Sequence, residues 1–269
     1  MTFFESILLG ALQGITEFLP ISSSGHLVVV ESLLGLKVES LKSFDVFVHA
    51  GSLLAILIYF RKEISDLFSA FFSFFKKTTD NKQKNNQKAI IYLILGTIPA
   101  TIIGLTLENQ IDSYFRSVNS VAYVMILVAI FFVIAEYLGG RIQQKQNVKA
   151  LSAIYIGLAQ AIAIIPGVSR SGSTIATGLI GKLERTNAAR FSFLLGSIAI
   201  FGALIITLSK DSFLSLNSSS LAIHLTGLST SLIFSLLAIN FLMKFLKKHS
   251  LNIFALYLII IASLLLIFN

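Results

Sequence analysis

Residues 13–26 read Gln13-Gly14-Ile15-Thr16-Glu17-Phe18-Leu19-Pro20-Ile21-Ser22-Ser23-Ser24-Gly25-His26. The stretch closes an apolar run that begins at Phe3 and breaks it with a proline, three serines, a glycine and a histidine. A helix needs about 17–25 mostly apolar residues to cross a membrane. The ten residues after the break, 27–36, contain Glu31 and are too short for that. The pattern recurs. Residues 150–165 run into Pro166-Gly167-Val168-Ser169-Arg170-Ser171-Gly172-Ser173-Thr174, and only eight residues, 174–181, precede Lys182. Each segment reads as a re-entrant hairpin, with a half-helix in, a polar break and a half-helix out. About 15 helical residues rise about 22 Å, enough to reach the middle of a hydrocarbon core about 30 Å thick. Irregular backbone is tolerated at that depth only against protein or a wet cavity. Both polar strings are therefore expected to line a cavity.

The composition agrees. Of 269 residues, 55% are hydrophobic and 13% charged, and there is no Cys or Trp. An ordinary soluble domain is roughly a quarter charged, which excludes a soluble globular enzyme, and disorder, collagen-like repeats and a disulfide scaffold with it. Without Cys there is no structural disulfide and no thiolate metal site. What remains is an all-α polytopic membrane protein of one compact bundle. Six further segments, 44–60, 89–107, 118–135, 191–208, 221–243 and 251–268, are long and apolar enough to cross. No cleavable signal peptide is expected, because MTFFESILLGALQGITEF has no basic leader and no small-residue cleavage site.

The formal charge of +8 comes from Lys and Arg in short gaps between apolar runs. Nucleic-acid binding would need them gathered on one water-facing surface, so they read as a topology signal. With two re-entrant hairpins, sixteen Lys/Arg fall on one side, in 61–88, 141–149, 182–190 and 244–248. Lys37, Lys42, Arg116 and Lys210 fall on the other, and Arg170 stays inside. If each hairpin crossed instead, the split would be eleven to ten. The positive-inside bias selects the re-entrant arrangement, with both termini outside and 61–88 a cytoplasmic loop. The run 76–88 is expected to be solvated loop near anionic lipid heads.

The two hairpins are copies of one another. A shift of 147 carries Ile7, Gly10, Gln13, Ile15, Ser22, Ser24 and Gly25 onto Ile154, Gly157, Gln160, Ile162, Ser169, Ser171 and Gly172 without a gap. A shift of 145 carries Gly51-Ser52 onto Gly196-Ser197. The first repeat is then 1–138, with hairpin 3–36, and the second 150–269, with hairpin 150–181. Each repeat holds three crossings, an odd number, so the second enters from the opposite face. Such an inverted repeat puts a binding site at the repeat interface near the midplane.

The chemistry collected there is that of an anion site. Serine is a favoured N-cap and glycine admits close backbone approach. A helix N-terminus offers free N–H groups and partial positive charge. Ser22–Gly25 and Ser169–Gly172 each open a half-helix, and Arg170 lies between them. The combination suits a phosphate or diphosphate; the plainer alternative is a pair of Ser-capped kinks. Arg170 favours the former, because a mid-bilayer charge costs at least about 2.5–3.5 kcal/mol unless partnered, and its fork matches phosphate oxygens. Glu17 follows Gln13 by one helical turn, on the same face. Its carboxylate could be metal ligand, base or orienter, or simply a salt bridge to Arg170. His26 is expected to serve catalysis or phosphate contact. His49 could pack helices or line the cavity, Pro99 is expected to kink its helix, and His224 and His249 are expected at the interface.

Together these strings resemble the two signature motifs of the bacterial undecaprenyl-diphosphate phosphatase family, also called bacitracin-resistance proteins. The resemblance runs over essentially the whole chain, including residues 96–100. It implies hydrolysis of undecaprenyl diphosphate to the monophosphate and inorganic phosphate, which recycles the lipid carrier of cell-wall synthesis. It also implies a divalent cation, Mg2+ or Ca2+, and a site opening outward in the bacterial cytoplasmic membrane. By the same resemblance Glu17 matches the essential glutamate, Ser23 the proposed nucleophile, His26 its neighbouring histidine and Arg170 the phosphate-binding arginine. Gln13 stands where many members carry a second Glu. Ser22, Ser24, Gly25, Ser169, Ser171, Gly172 and Thr174 match the substrate-binding lining. The partners expected are a polyprenyl diphosphate and the bilayer, with no nucleic acid and with oligomeric state left open. The rival class is a transporter or flippase for a polyprenyl phosphate, since inverted repeats with broken midplane helices also build carriers. A carrier needs gates but no nucleophile.

Overall fold

The computed structural model describes residues 1–36, 41–74, 80–115, 117–139, 148–208 and 218–268. Among the described residues it forms eleven α-helices. The first six are α1 (Phe3–Phe18), α2 (Ser23–Leu33), α3 (Lys42–Tyr59), α4 (Arg61–Ser73), α5 (Asn81–Phe115) and α6 (Val118–Gly139). The remaining five are α7 (Ala150–Ile162), α8 (Arg170–Ile180), α9 (Arg185–Leu208), α10 (Ser218–Phe245) and α11 (Asn252–Phe268). Four stretches are long and apolar enough to cross a membrane: Asn81–Leu107, Val118–Gly139, Arg185–Ile206 and Ser220–Phe245. They cover the expected crossings 89–107, 118–135 and 221–243 and all but the end of 191–208. The expected 44–60 is α3, which meets α4 at an 80° bend, and 251–268 is α11, a 17-residue helix. The chain is a multi-pass helical membrane protein.

Both expected hairpin segments are broken helices. α1, α2, α7 and α8 have 16, 11, 13 and 11 residues, rising about 24, 16, 20 and 16 Å, each less than the hydrocarbon thickness. Thr2 opens α1 through a capping box with Glu5, and Pro20 follows its end. Ser22 caps α2, its hydroxyl accepting from Gly25 N at 3.2 Å, and Ser169 caps α8, accepting from Gly172 N at 3.1 Å. The serine–glycine pairs shared by the two segments are therefore N-cap and third-residue partners. Ser22 sits at φ 71°, a left-handed conformation that costs a non-glycine residue about 1–3 kcal/mol.

The segment 61–88 corrects the expectation of a loop. It contains the amphipathic α4 and the first turns of α5. Ile64 and Leu67 pack on the core and Ala70 is buried, a helical spacing that the surrounding charges obscured. Gln87 Nε2 donates to Ser73 Oγ at 3.0 Å and Lys82 bonds Asp66 at 3.0 Å, closing α4 on α5. Pro99 lies inside α5. Of the charges used for topology, Lys37, Lys76, Lys77, Arg116, Arg141, Lys145 and Lys210 lie outside the described residues.

The broken helices nest on long ones through glycine. α1 packs on α10, where a Cβ at Gly10 would stand 2.6 Å from Gly227 O and one at Gly14 2.6 Å from Ser231 O. α7 packs on α5, where a Cβ at Gly157 would run into the Gly96 backbone. Small residues that let backbones approach are how helices associate in lipid, where no hydrophobic force separates helix from solvent. α6 packs on α11 and α3 on α9. The middle of α6 is the seat for both breaks: Gly25 fits against Met125, Gly172 against Phe132, and Gly167 (φ 95°) against Val121. At the far end of α6, Glu136 accepts two bonds from Arg185 and one from the Leu251 backbone N–H at 2.8 Å, fastening α6, α9 and the start of α11.

Candidate active site

The two breaks meet. Ser171 Oγ donates to Leu19 O at 3.2 Å, joining the start of α8 to the end of α1. Beside that contact, Arg170 Nη2 donates to Glu17 Oε1 at 2.5 Å. The other carboxylate oxygen, Oε2, accepts from Ser23 Oγ at 2.7 Å and from Gln13 Nε2 at 2.9 Å. Gln13 and Glu17 are one turn apart on α1, Ser23 opens α2 and Arg170 opens α8, so three helices converge on one carboxylate. Gln13 is 0% and Glu17 6% exposed. An ion pair at that depth needs every lone pair matched, because neither partner alone can be desolvated. α9 makes room for it: a Cβ at Gly196 would overlap the Arg170 guanidinium.

Two polar atoms in this cluster have no partner among the described residues: Arg170 Nη1 and Gln13 Oε1, both buried. Buried polar groups are ordinarily hydrogen-bonded, so one donor and one acceptor stand ready for a bound group. The donor suits a phosphate oxygen.

The expected lining divides. Ser23 is half-buried and Ser24 exposed. Ser22 and Ser169 use their hydroxyls as caps, and Ser171 bridges the breaks. Thr174 donates to Arg170 O at 2.7 Å and lies 2.5 Å from Ser192 Oγ on α9. These hydroxyls hold the Arg170 backbone in place. His26 goes elsewhere. Its Nδ1 is 2.8 Å from Ser22 O and its Nε2 2.8 Å from the Tyr257 hydroxyl on α11, with the rings stacked at 5.7 Å. A carbonyl only accepts, so Nδ1 carries the proton and Nε2 accepts from Tyr257. Both nitrogens are engaged away from Ser23.

Two residues enter the site's surroundings that the sequence left undecided or unnoticed. His49 on α3 reaches within 3.9 Å of Glu17 Oε2, as one of the alternatives for it allowed. Gly196 gave only a faint signal, as half of a two-residue match. His224 is 6% exposed, 3.2 Å from Ser43 Oγ and packed against Phe44 and Phe47.

A resident divalent cation does not fit this donor set. Both oxygens of Glu17 already serve Arg170, Ser23 and Gln13. Among the described residues, no three His, Asp or Glu side chains gather that could hold an ion.

The sequence comparisons are consistent across the chain. The family described as bacitracin resistance protein BacA matches residues 6–264. A protein named undecaprenyl-diphosphatase from Elusimicrobium minutum is 39% identical over 267 residues, covering 99% of this chain and 98% of that protein. One of the same name from Methanosphaera stadtmanae is 39% identical over 274 residues, covering 98% and 97%. Another from Alteromonas mediterranea is 45% identical over 203 residues, covering 76% and 75%.

Proposed function

The chain belongs to the bacitracin resistance protein BacA family, and from that membership and the site we infer that it is an undecaprenyl-diphosphatase. It hydrolyses the C55 isoprenoid diphosphate to the monophosphate and inorganic phosphate. The observation that carries the chemistry is the Ser23 hydroxyl donating to a carboxylate held by Arg170, while the other Arg170 terminal nitrogen has no partner among the described residues. A nucleophile bonded to a positioned base, with a cation beside the reacting group, is the general arrangement for covalent transfer.

On this reading the diphosphate sits between the starts of α2 and α8, with a terminal phosphate oxygen on Arg170 Nη1. Ser23 Oγ attacks the terminal phosphorus as Glu17 Oε2 takes its proton. The anhydride bond breaks, and undecaprenyl phosphate leaves with the electron pair. Water then attacks the phosphoserine, and Ser23 recovers its proton. Gln13 orients Glu17. His26, tied to Tyr257, holds α2 against α11. Mg2+ or Ca2+ belongs with the diphosphate as its counter-ion.

We place six crossings and two re-entrant hairpins in the bilayer, with repeats at 1–138 and 150–269 inverted relative to each other. Four broken helices shorter than the membrane support this. So does the exchange in packing, in which α1 lies on α10 as α7 lies on α5. The Lys/Arg bias supports both termini outside and an outward-opening site in the cytoplasmic membrane. The test is phosphate release from undecaprenyl diphosphate by purified protein in detergent. Wild type turns over, and Ser23→Ala loses at least about 10³-fold in kcat. A Ser23→Ala protein at wild-type rate eliminates the covalent route. Substrate movement across vesicles without hydrolysis would support the carrier instead.

A further inference from the structure

Glu17 has a fourth neighbour for which the mechanism above has no use. His49 Nε2 stands 3.9 Å from Glu17 Oε2, the same oxygen that accepts from Ser23. Its other nitrogen, Nδ1, is 2.7 Å from the Asp45 carbonyl one turn back on α3. That carbonyl can only accept, so Nδ1 carries a proton, and in the neutral ring Nε2 presents a bare lone pair. Two acceptors, the imidazole nitrogen and the carboxylate oxygen, face one another. The arrangement is satisfied only when a proton or a water molecule occupies the gap. Exposure adds direction: the His49 side chain is 35% exposed and that of Glu17 5%. The ring is thus the more accessible of the two partners.

We propose that His49 is the proton acceptor behind Glu17, an inference that rests on the phosphatase reading. The proton leaving Ser23 Oγ passes to Glu17 Oε2, from there to His49 Nε2, and then to water. In the first step the Oγ–P bond forms, the P–O anhydride bond breaks with its electron pair on the departing lipid phosphate, and the proton comes to rest on His49. In the second step water attacks phosphorus and the P–Oγ bond breaks. One water proton returns to Ser23 through Glu17, and His49 releases the first. Each turnover yields one proton, as hydrolysis of the anhydride requires. The transfer returns Glu17 to the form that accepts from Ser23.

The experiment compares wild type, His49→Gln, His49→Ala and Ser23→Ala as purified full-length proteins, assayed for phosphate release from undecaprenyl diphosphate with and without added imidazole. His49→Gln keeps the bulk and a polar head but cannot take up the proton, and guards against misfolding in the alanine variant. The expected result is a fall of about 10- to 100-fold in kcat with KM within about twofold, somewhat less than the full loss of a general base. Added imidazole, admitted by the exposure of the site, restores about tenfold to His49→Ala and nothing to Ser23→Ala. Wild-type kcat in both His49 variants overturns the proposal, as does a loss confined to KM that imidazole leaves untouched. A wild-type protein that releases no phosphate overturns the phosphatase reading instead, so the two failures are distinct.

Discussion

At the scale of single residues, the site is a division of one carboxylate and one guanidinium. Glu17 gives Oε1 to Arg170 and Oε2 to Ser23 and Gln13, and Arg170 gives Nη2 to Glu17 while its buried Nη1 has no partner among the described residues. Only a planar fork can hold the acid and a phosphate at once. Arg170→Lys should therefore lower kcat/KM by about 10²- to 10³-fold while leaving the melting temperature within a few degrees, because Glu17 still has a cation beside it. Arg170→Ala is a poorer probe, since an unpaired buried carboxylate costs about 3–5 kcal/mol in stability. Equal activity of Arg170→Lys and wild type would show that the fork is not used. Glu17 and Arg170 stood out in the sequence because a charge inside an apolar run is costly at membrane depth, whereas Ser23 was separated from its neighbouring serines only by the family resemblance. The partners of His26 were not legible there. Its closeness to Ser23 along the chain says nothing of Tyr257, which is 231 residues away and 2.8 Å off.

At the scale of elements, glycine sets how closely helices approach. The repeated Gly10 and Gly157 were visible as a shift of 147, but only the packing shows that one faces Gly227 and the other Gly96. The contrast with Gly202, whose Cβ would meet nothing within 4 Å, supplies an internal control. Gly157→Ala should destabilise the protein by about 1–3 kcal/mol through overpacking against backbone. Gly202→Ala should be neutral or stabilise by up to about 1 kcal/mol from helix propensity alone. Unfolding of the two variants in detergent checks this, and equal midpoints would remove the packing argument. α4 was missed for a related reason. Its apolar stripe of Ile64, Leu67 and Ala70 is narrow, and the charges around it dominate a count by composition.

At the scale of the whole molecule, the arrangement proposed for the membrane rests on the Lys/Arg bias and on two broken helices meeting. The absence of Cys makes this directly testable, because any introduced thiol is the only one. A membrane-impermeant maleimide should label Lys82→Cys only from the cytoplasmic side and Ser24→Cys only from outside. Labelling of Ser24→Cys from the cytoplasm would reverse the opening of the site. The sequence by itself determined the class, the two breaks, the internal duplication and the side chains that carry charge to them. Those depend on local hydropathy and residue chemistry, which are written along the chain. Tertiary structure alone decided which oxygen meets which nitrogen, that α3 brings His49 to Glu17, and that Gly196 clears space for Arg170. Such contacts join residues more than a hundred positions apart or on different helices, and they depend on helix rotation and approach distance. No pattern of spacing within one segment specifies either quantity.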